Sequence, residues 1–391
     1  MMKHLFTLIW NRKRANALLI VEIFLAFVVL FVVGSLLVYR WQNYRAPLGF
    51  AYEQVWEVGL DPGIQPKAER YATQQQIIQR IKSLPGVRAV TRSNSNTPFS
   101  DSHNSSNIER PDQRVLRPAS NTYNMDDAAS DVLQLPLEEG RWFDRRDDGA
   151  PVVVISRDMK ELLFPNETAL GKLVVANGNR RIVGVTASYR ADGDFADPRQ
   201  AIFLRNSLQD NTFDHLRTLL VRVQPSAGGA LEKQISSDIR AIGPGWSSNI
   251  TPLSEMREKQ MKEVLTPLVA LVITCVFLIV NVALGLFGVL WQTINQRRSE
   301  IGLRRAIGAS AGGISGQIVG EILVVATFGL GLGLLVAVQF PLLGVLGVRA
   351  DVYGTAMGLA AGLVYVLTVV CALYPSRLAA GIQPAVALRE E

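Results

Sequence analysis

Cysteine and histidine are scarce in this sequence, since its 391 residues include 2 cysteines and 3 histidines. Cys275 and Cys371 both lie in long apolar runs, which excludes a disulfide framework for the rest of the chain. The histidines stand far apart, and neither an HExxH nor a CxxC pattern occurs. The sequence therefore predicts neither a metal site nor a catalytic site of these kinds.

Motifs that bind nucleotide phosphates are also missing. Residues Gly171–Leu173 read Gly-Lys-Leu and lack the upstream glycine of a GxxxxGK[ST] loop, so no phosphate cradle is expected. Asp101–His103 reads Asp-Ser-His, which suggests a nucleophile, but its polar and turn-rich neighbours favour a solvated loop. We expect no cofactor bound directly by this chain and no enzymatic activity.

Charged residues make up only 19% of the chain and hydrophobic residues 48%, a composition too apolar for an ordinary soluble protein. Four apolar runs are long enough to cross a hydrocarbon core of about 30 Å. They are residues 16–39, 265–291, 314–340 and 354–374. The first run is too long for a signal-peptide core and is followed by Tyr, Trp and Arg, so we expect an uncleaved anchor.

The basic residues predict the orientation of these spans. Segment 1–15 carries four basic residues and no acid, and the loop 292–313 carries four arginines and one glutamate. By the positive-inside rule both segments and the tail 375–391 are cytoplasmic, whereas residues 40–264 and the short loop 341–353 lie outside. The net charge of +6 therefore reflects membrane topology, and nucleic acid is not expected as a partner.

The outer domain alternates strand-like and helix-like stretches. β-α-β units are predicted near 50–97 and 215–253, and they bracket an inserted β-rich subdomain at about 105–205. Residues 92–130 are polar and predict a loop, and a charged helical stalk at 254–265 leads into the second span. The predicted fold class is an α-helical membrane protein with four transmembrane helices and a large α+β extracytoplasmic domain inserted between helices 1 and 2.

Glycines recur at every fourth residue in the third and fourth apolar runs. They are Gly312, Gly316 and Gly320, and then Gly354, Gly358 and Gly362. Each set lies along one helix face and is expected to let another helix approach closely. The alternative is that glycine is simply common in membrane helices.

Glu22 and Glu321 are carboxylates within the predicted spans, where an acid is costly unless it faces a partner, water or the interior of a bundle. One interpretation is a proton or substrate pathway, and the other is a protonated or paired group that holds helices together. We favour the second, because no Lys, Arg or His lies within the spans to form a relay.

The loop between the second and third spans predicts an amphipathic helix. Its four arginines share one broad arc, and Glu300 is spaced for ion pairs with two of them. The expected contact residues are Arg297, Arg298, Glu300, Ile301, Leu303, Arg304, Arg305 and Ile307. From the residues alone, a helix that binds a protein and one that lies on lipid headgroups are equally acceptable.

The stretch RRSEIGLRRAIGASAGGISGQIVGE resembles the FtsX-like, MacB-type ABC transporter permease family, in which R-x-E-I-G-x-R-x-A-x-G-A precedes a span with an early glutamate. Glu321 fits that glutamate, and the tail YPSRLAAGIQPAVALRE resembles the end of the family's sequences. In the outer domain GRWFDRRDD, APVVVIS, LFP, LGK and RIVGV resemble the family's periplasmic core domain, in order. Residues 92–130 contain no motif of the family.

The resemblance implies a permease of the bacterial inner membrane that works as a homodimer or heterodimer with a separate cytoplasmic ATPase, which binds ATP and Mg. A periplasmic adaptor, an outer-membrane channel and membrane lipids are further expected partners. The loop 292–313 would then be a coupling helix that transmits ATP-driven motion to the outer domain for export. The alternatives are an FtsX-like regulator of a cell-wall hydrolase and a membrane-anchored sensor.

Overall fold

The computed structural model describes residues 13–112, 120–205, 216–345 and 348–380. The chain divides into two compact units. Asn43–Val264 forms an inserted domain, and Met1–Gln42 with Leu265–Glu391 forms a helical unit. Most of the predicted segment 1–15, and the tail beyond residue 380, lie outside the described residues.

The helical unit contains helices that are long and apolar enough to cross a membrane. The long helices are α1 (Lys13–Arg45), α6 (Leu253–Gln296), α8 (Ala311–Ala337) and α10 (Ala350–Ala380), with the short α7 (Arg298–Ala306) and α9 (Gln339–Leu343) between them. By length and composition, four candidate spans lie at Ala17–Arg45, Leu253–Gln296, Ala311–Leu343 and Ala350–Ala379. The four spans and the large domain between the first two confirm the predicted fold class.

The buried side of α1 forms the core of the helical unit. Leu19, Ile23, Phe27 and Phe31 recur at helical spacing, and each is at most 1% exposed. They pack against apolar residues of α6, α8 and α10. Many apolar side chains on the opposite faces remain exposed, as expected for a surface that contacts lipid or another subunit.

The inserted domain begins and ends with two β-α-β units that interleave. Its helices are α2 (Lys67–Lys82), α3 (Ala129–Leu133), α4 (Arg157–Leu163) and α5 (Gly229–Ile242). Strand β1 (Val55–Asp61) and β2 (Val87–Ser93) enclose β10 (Thr218–Val223), and β1 in turn lies between β10 and β11 (Ser247–Pro252). Each unit therefore has one strand that lies between the two strands of the other unit, and this pairing joins the two ends of the domain.

The remaining strands extend the same sheet. They are β3 (Ser105–Ser106), β4 (Ser120–Met125), β5 (Leu137–Gly140), β6 (Val152–Ser156), β7 (Leu173–Val175), β8 (Asn179–Thr186) and β9 (Ala201–Arg205). The described strands follow the order β11-β1-β10-β2-β4-β9-β6-β8-β5, with β3 beside β4 and β7 beside β8. The β-rich insertion therefore continues the sheet of the β-α-β units.

The loop predicted for residues 92–130 is wrong at β4. This strand lies between β2 and β9 in the middle of the sheet, and it pairs in parallel with β9. Its residues Ser-Asn-Thr-Tyr-Asn-Met are polar yet mostly buried, and Asn96 donates a hydrogen bond of 3.0 Å to the carbonyl of Thr122. Polar composition gave the wrong expectation because pairing with β9 and the hydrogen bond from Asn96 satisfy backbone groups of this strand inside the domain.

Candidate functional site

Helix α7, which connects α6 to α8, is anchored by one buried face. Ile301 is 5% exposed and packs with Ile294 of α6, Ile314 of α8 and Ala379 of α10. Gly302 beside it is also buried. The expectation that Ile301 contacts an ATPase is therefore corrected, because the side chain is already covered by the three long helices of its own unit.

Two local motifs fix the end of α7. Gly308 has a φ of +103°, a left-handed conformation that favours glycine. The Gly308 and Ala309 amides donate to the carbonyls of Arg305 and Arg304, which is the Schellman pattern. The Ser310 hydroxyl then accepts from the Gly313 amide at 3.1 Å and caps α8. The sequence Gly-Ala-Ser at residues 308–310 is therefore the local signal for the end of α7 and the start of α8.

A network of charged and amide side chains connects α7 to α8. Arg297 Nη1 lies 2.6 Å from Glu321 Oε2, and the two side chains are 13% and 16% exposed. Gln317 donates to Glu321 at 3.0 Å and accepts from Arg304 at 3.0 Å. Arg304 also donates to Glu300 at 2.5 Å. Arg297 and Arg304 therefore contact acidic and amide side chains inside the unit, which reduces the number of arginines expected to contact a partner.

Glu321 accordingly has a basic neighbour, Arg297, that lies outside the predicted spans. Arg297 lies between α6 and α7, and 24 residues separate it from Glu321. A paired carboxylate is the arrangement favoured above, although its role remains a prediction. Glu22 differs, because its carboxylate lies directly against Gly285 of α6, in the space that a Cβ on Gly285 would occupy.

The opposite face of α7 is exposed and apolar in part. Leu303 is 51% exposed and Ile307 is 79% exposed, one turn apart. Arg298 is exposed nearby, and Arg305 is half-buried and donates to the Ala309 carbonyl at 3.3 Å. This face combines apolar side chains with positive charge and is suited to a protein groove that carries acidic residues.

The six predicted packing glycines have open space on their side-chain side within the described chain. A Cβ on any of them would meet no atom within 4 Å. They are Gly312, Gly316, Gly320, Gly354, Gly358 and Gly362. Close approach occurs instead at Gly285, Gly329 and Gly333, where a Cβ would overlap Glu22, Ile23 and Phe27 respectively. No side chain or backbone of this subunit fills the Cβ positions of the six predicted glycines, and their packing role stays a prediction.

These features define a class, namely multi-pass membrane proteins with a large α+β domain after the first span and a short amphipathic helix between the second and third. Within it, the chain belongs to the family described as the MacB-like periplasmic core domain, which matches residues 20–241. Residues 271–384 match the FtsX-like permease C-terminal family. The resemblance inferred from the sequence motifs is confirmed.

Relatives of known name are about a quarter identical to this chain over the aligned residues. The macrolide export ATP-binding/permease protein MacB of Neisseria meningitidis is 27% identical over 228 residues, which are 56% of this chain and 35% of that protein. The chain thus spans about a third of the length of such relatives. The uncharacterized ABC transporter permease YvrN of Bacillus subtilis is 24% identical over 293 residues, covering 69% of this chain and 70% of that one.

Among solved structures, the periplasmic region of MacB from Actinobacillus actinomycetemcomitans is similar, with a TM-score of 0.40 and 16% identity. The match covers 56% of this chain and 97% of that structure.

Proposed function

We propose that this chain is the permease subunit of an ABC transporter and that a separate cytoplasmic ATPase binds ATP and Mg and supplies the driving force. The family membership, including the match to the FtsX-like permease C-terminal family, carries this proposal. It favours a transporter over the cell-wall regulator and the sensor. The positive-inside rule supports cytoplasmic termini and a periplasmic inserted domain in a bacterial inner membrane.

The exposed face of α7 is the proposed docking surface for the ATPase. Leu303 and Ile307 supply apolar contact, and Arg298 and Arg305 supply charge. Because a guanidinium is costly to bury against an apolar surface, the groove on the ATPase is expected to carry acidic residues. Lipid headgroups remain the competing ligand for such a surface, and an experiment can separate the two.

The contacts between α7 and α8 support a mechanical role. Ile301 is covered by residues of three long helices, and Arg297 is tied to Glu321. A displacement of α7 therefore acts directly on those helices. The proposed output is the movement of a substrate already in the periplasm, with a periplasmic adaptor and an outer-membrane channel as further partners.

The open glycines support a second permease subunit as a partner. Five of the six glycines are exposed, and none has a neighbouring atom where a Cβ would lie. Small residues on one helix face allow close helix contact in a membrane. We propose that a second copy or a paralogue packs there.

Substitution of Leu303 and Ile307 tests the docking surface. In the double variant Leu303→Asp/Ile307→Asp, expressed at the native level, the amount of co-purifying ATPase is expected to fall by a factor of about ten or more. The reason is that two apolar contacts become buried charges. Quantitative mass spectrometry of the affinity-purified chain measures the loss.

Ile64→Asp provides a matched control, since Ile64 is fully exposed in the inserted domain. It is expected to retain the ATPase. If the double variant retains the ATPase and instead binds anionic lipid vesicles less strongly, α7 is a lipid-binding helix and the docking proposal fails.

A further inference from the structure

A loop of the inserted domain joins the ends of two long helices that carry the chain into and out of that domain. We call this loop, Tyr189–Ala196, the clasp. Within the inserted domain it contacts the last residues of α1 from Asn43 onward and the first turns of α6.

Arg190 is the centre of the clasp. It is 2% exposed, and its guanidinium donates to four backbone carbonyls. Nη1 reaches the carbonyls of Asn43 and Ala46 at 2.8 Å each. Nη2 reaches those of Asp194 and Ala196 at 2.7 and 2.8 Å. A buried guanidinium is tolerated when charge-assisted hydrogen bonds replace its hydration, so these carbonyls are held in one arrangement.

The last turn of α1 makes two further contacts with the clasp. Asn43 Nδ2 donates to the Phe195 carbonyl at 3.2 Å. The rings of Tyr44 and Phe195 stack with centroids 5.6 Å apart. Backbone, amide and aromatic contacts therefore all fix this end of α1 to the same loop.

The first turns of α6 are fixed by an ion pair. Arg257 donates to both carboxylate oxygens of Asp194, at 2.8 and 2.9 Å, and the two side chains are 23% and 8% exposed. The Arg257 guanidinium also lies over the Tyr52 ring, 4.8 Å from its centroid. One turn further along, Gln260 occupies the space that a Cβ on Gly193 would need. A bidentate pair with little exposure sets orientation as well as distance.

We propose that the clasp holds the domain ends of α1 and α6 at a fixed separation, so that a displacement of α6 moves both ends and the sheet together. Arg190, Asp194 and Arg257 are then positioning residues for coupling. The inference rests on the proposed function, because a fixed separation matters for transport only if α6 is driven from the membrane side.

The separation can be measured on the full chain in lipid nanodiscs by pulsed electron spin resonance. Spin labels are placed at Ala46→Cys and Lys259→Cys in a background with Cys275→Ser and Cys371→Ser. The parent is expected to give one narrow distance distribution. Asp194→Asn removes the charge facing Arg257 while keeping the size of the side chain, and it is expected to broaden the distribution.

Hydrogen exchange gives a second readout. The Arg190 amide donates to the Leu48 carbonyl at 2.9 Å, and the Gly193 amide donates to the Arg190 carbonyl at 3.1 Å. In Asp194→Asn both amides are expected to exchange at least about tenfold faster, because local opening becomes easier. Arg190→Lys, which keeps the charge but cannot reach four carbonyls, is expected to have the same effects.

Asp238→Asn is the matched control, since it breaks the exposed Arg80–Asp238 pair between α2 and α5 in the same domain. It is expected to change neither readout. Unchanged distances and exchange rates in both Asp194→Asn and Arg190→Lys would overturn the proposal. Failure to capture an ATPase would instead count against the proposed function and leave both measurements on the clasp valid.

Discussion

The pair between Arg297 and Glu321 gives the sharpest prediction for α7. Replacing Glu321 by Leu leaves a guanidinium that is 13% exposed with Glu300 as its remaining acid, 4.0 Å away. Breaking a fully buried pair costs about 3–5 kcal/mol, and the partial exposure and the presence of Glu300 reduce this to about 1–3 kcal/mol. The double variant Arg297→Met/Glu321→Leu removes both charges and should recover part of the loss.

Trypsin reports this loss directly, because α7 itself contains Arg298, Arg304 and Arg305. Cleavage requires local opening of the helix, so its rate follows the opening free energy when opening is fast. A cost of 1–3 kcal/mol corresponds to cleavage roughly 5–150 times faster in Glu321→Leu than in the parent. The assay is run on the full chain in detergent, with peptides quantified by mass spectrometry.

Two controls make this prediction refutable. Asp351→Asn breaks the exposed Arg349–Asp351 pair elsewhere in the helical unit and should leave cleavage at α7 unchanged. Arg298, Arg304 and Arg305 remain present in the double variant, so cleavage at these three sites can be compared directly between the two variants. If the double variant is cleaved as fast as Glu321→Leu, or if Glu321→Leu behaves like the parent, the pair does not hold α7 in place.

Two further substitutions test packing and burial. Gly333→Ala should lower the melting temperature of the chain in detergent, with a cost of about 1–3 kcal/mol, because the new methyl overlaps the fully buried Phe27. Gly316→Ala has open space for its methyl and should leave the melting temperature unchanged. Equal melting temperatures of the two variants would contradict the packing argument. Burial raises the pKa of Glu57, so the folded state favours the protonated carboxyl and stability falls as pH rises above its usual value of 4.5. Glu57→Gln, which can still accept the hydrogen bond from Thr97, should be more stable than the parent at pH 7 in urea unfolding, and the difference should close below pH 4.5; a gap that widens on acidification would refute this.

The parts of the fold that could be predicted from sequence depend on local signals. A span is recognised by the length of its apolar run, and the β-α-β units by a change from strand to helix periodicity. Strand β4 gave no such signal, because its residues are mostly polar although they are buried between β2 and β9. Its place beside β9 depends on chain segments far away in sequence, which no local pattern encodes.

In the candidate site, too, features with a local sequence signal could be predicted, whereas contacts between distant residues could not. The amphipathic pattern of α7 placed Ile301, Leu303 and Ile307 together on the expected contact surface. Leu303 and Ile307 are exposed, whereas Ile301 is buried against the long helices. Which arginines face inward depends on where Gln317 and Glu321 lie on α8, and this follows from the packing of whole helices. The clasp was missed for a similar reason, because the partners of Arg190 include carbonyls 144 and 147 residues away.

The charged residues and the exposed apolar residues at α7 differ in their contacts, so we expect them to have different roles. Arg297 and Arg304 are engaged by Glu321, Gln317 and Glu300, so they stiffen the connection to α8 and contribute little to a partner. Ile307, at 79% exposed, has no comparable role inside the unit. Loss of the internal pair should therefore weaken transmission while the ATPase still binds, whereas loss of Leu303 and Ile307 should weaken binding itself. Measuring both ATPase capture and tryptic cleavage in each variant separates these two proposed functions of one short helix.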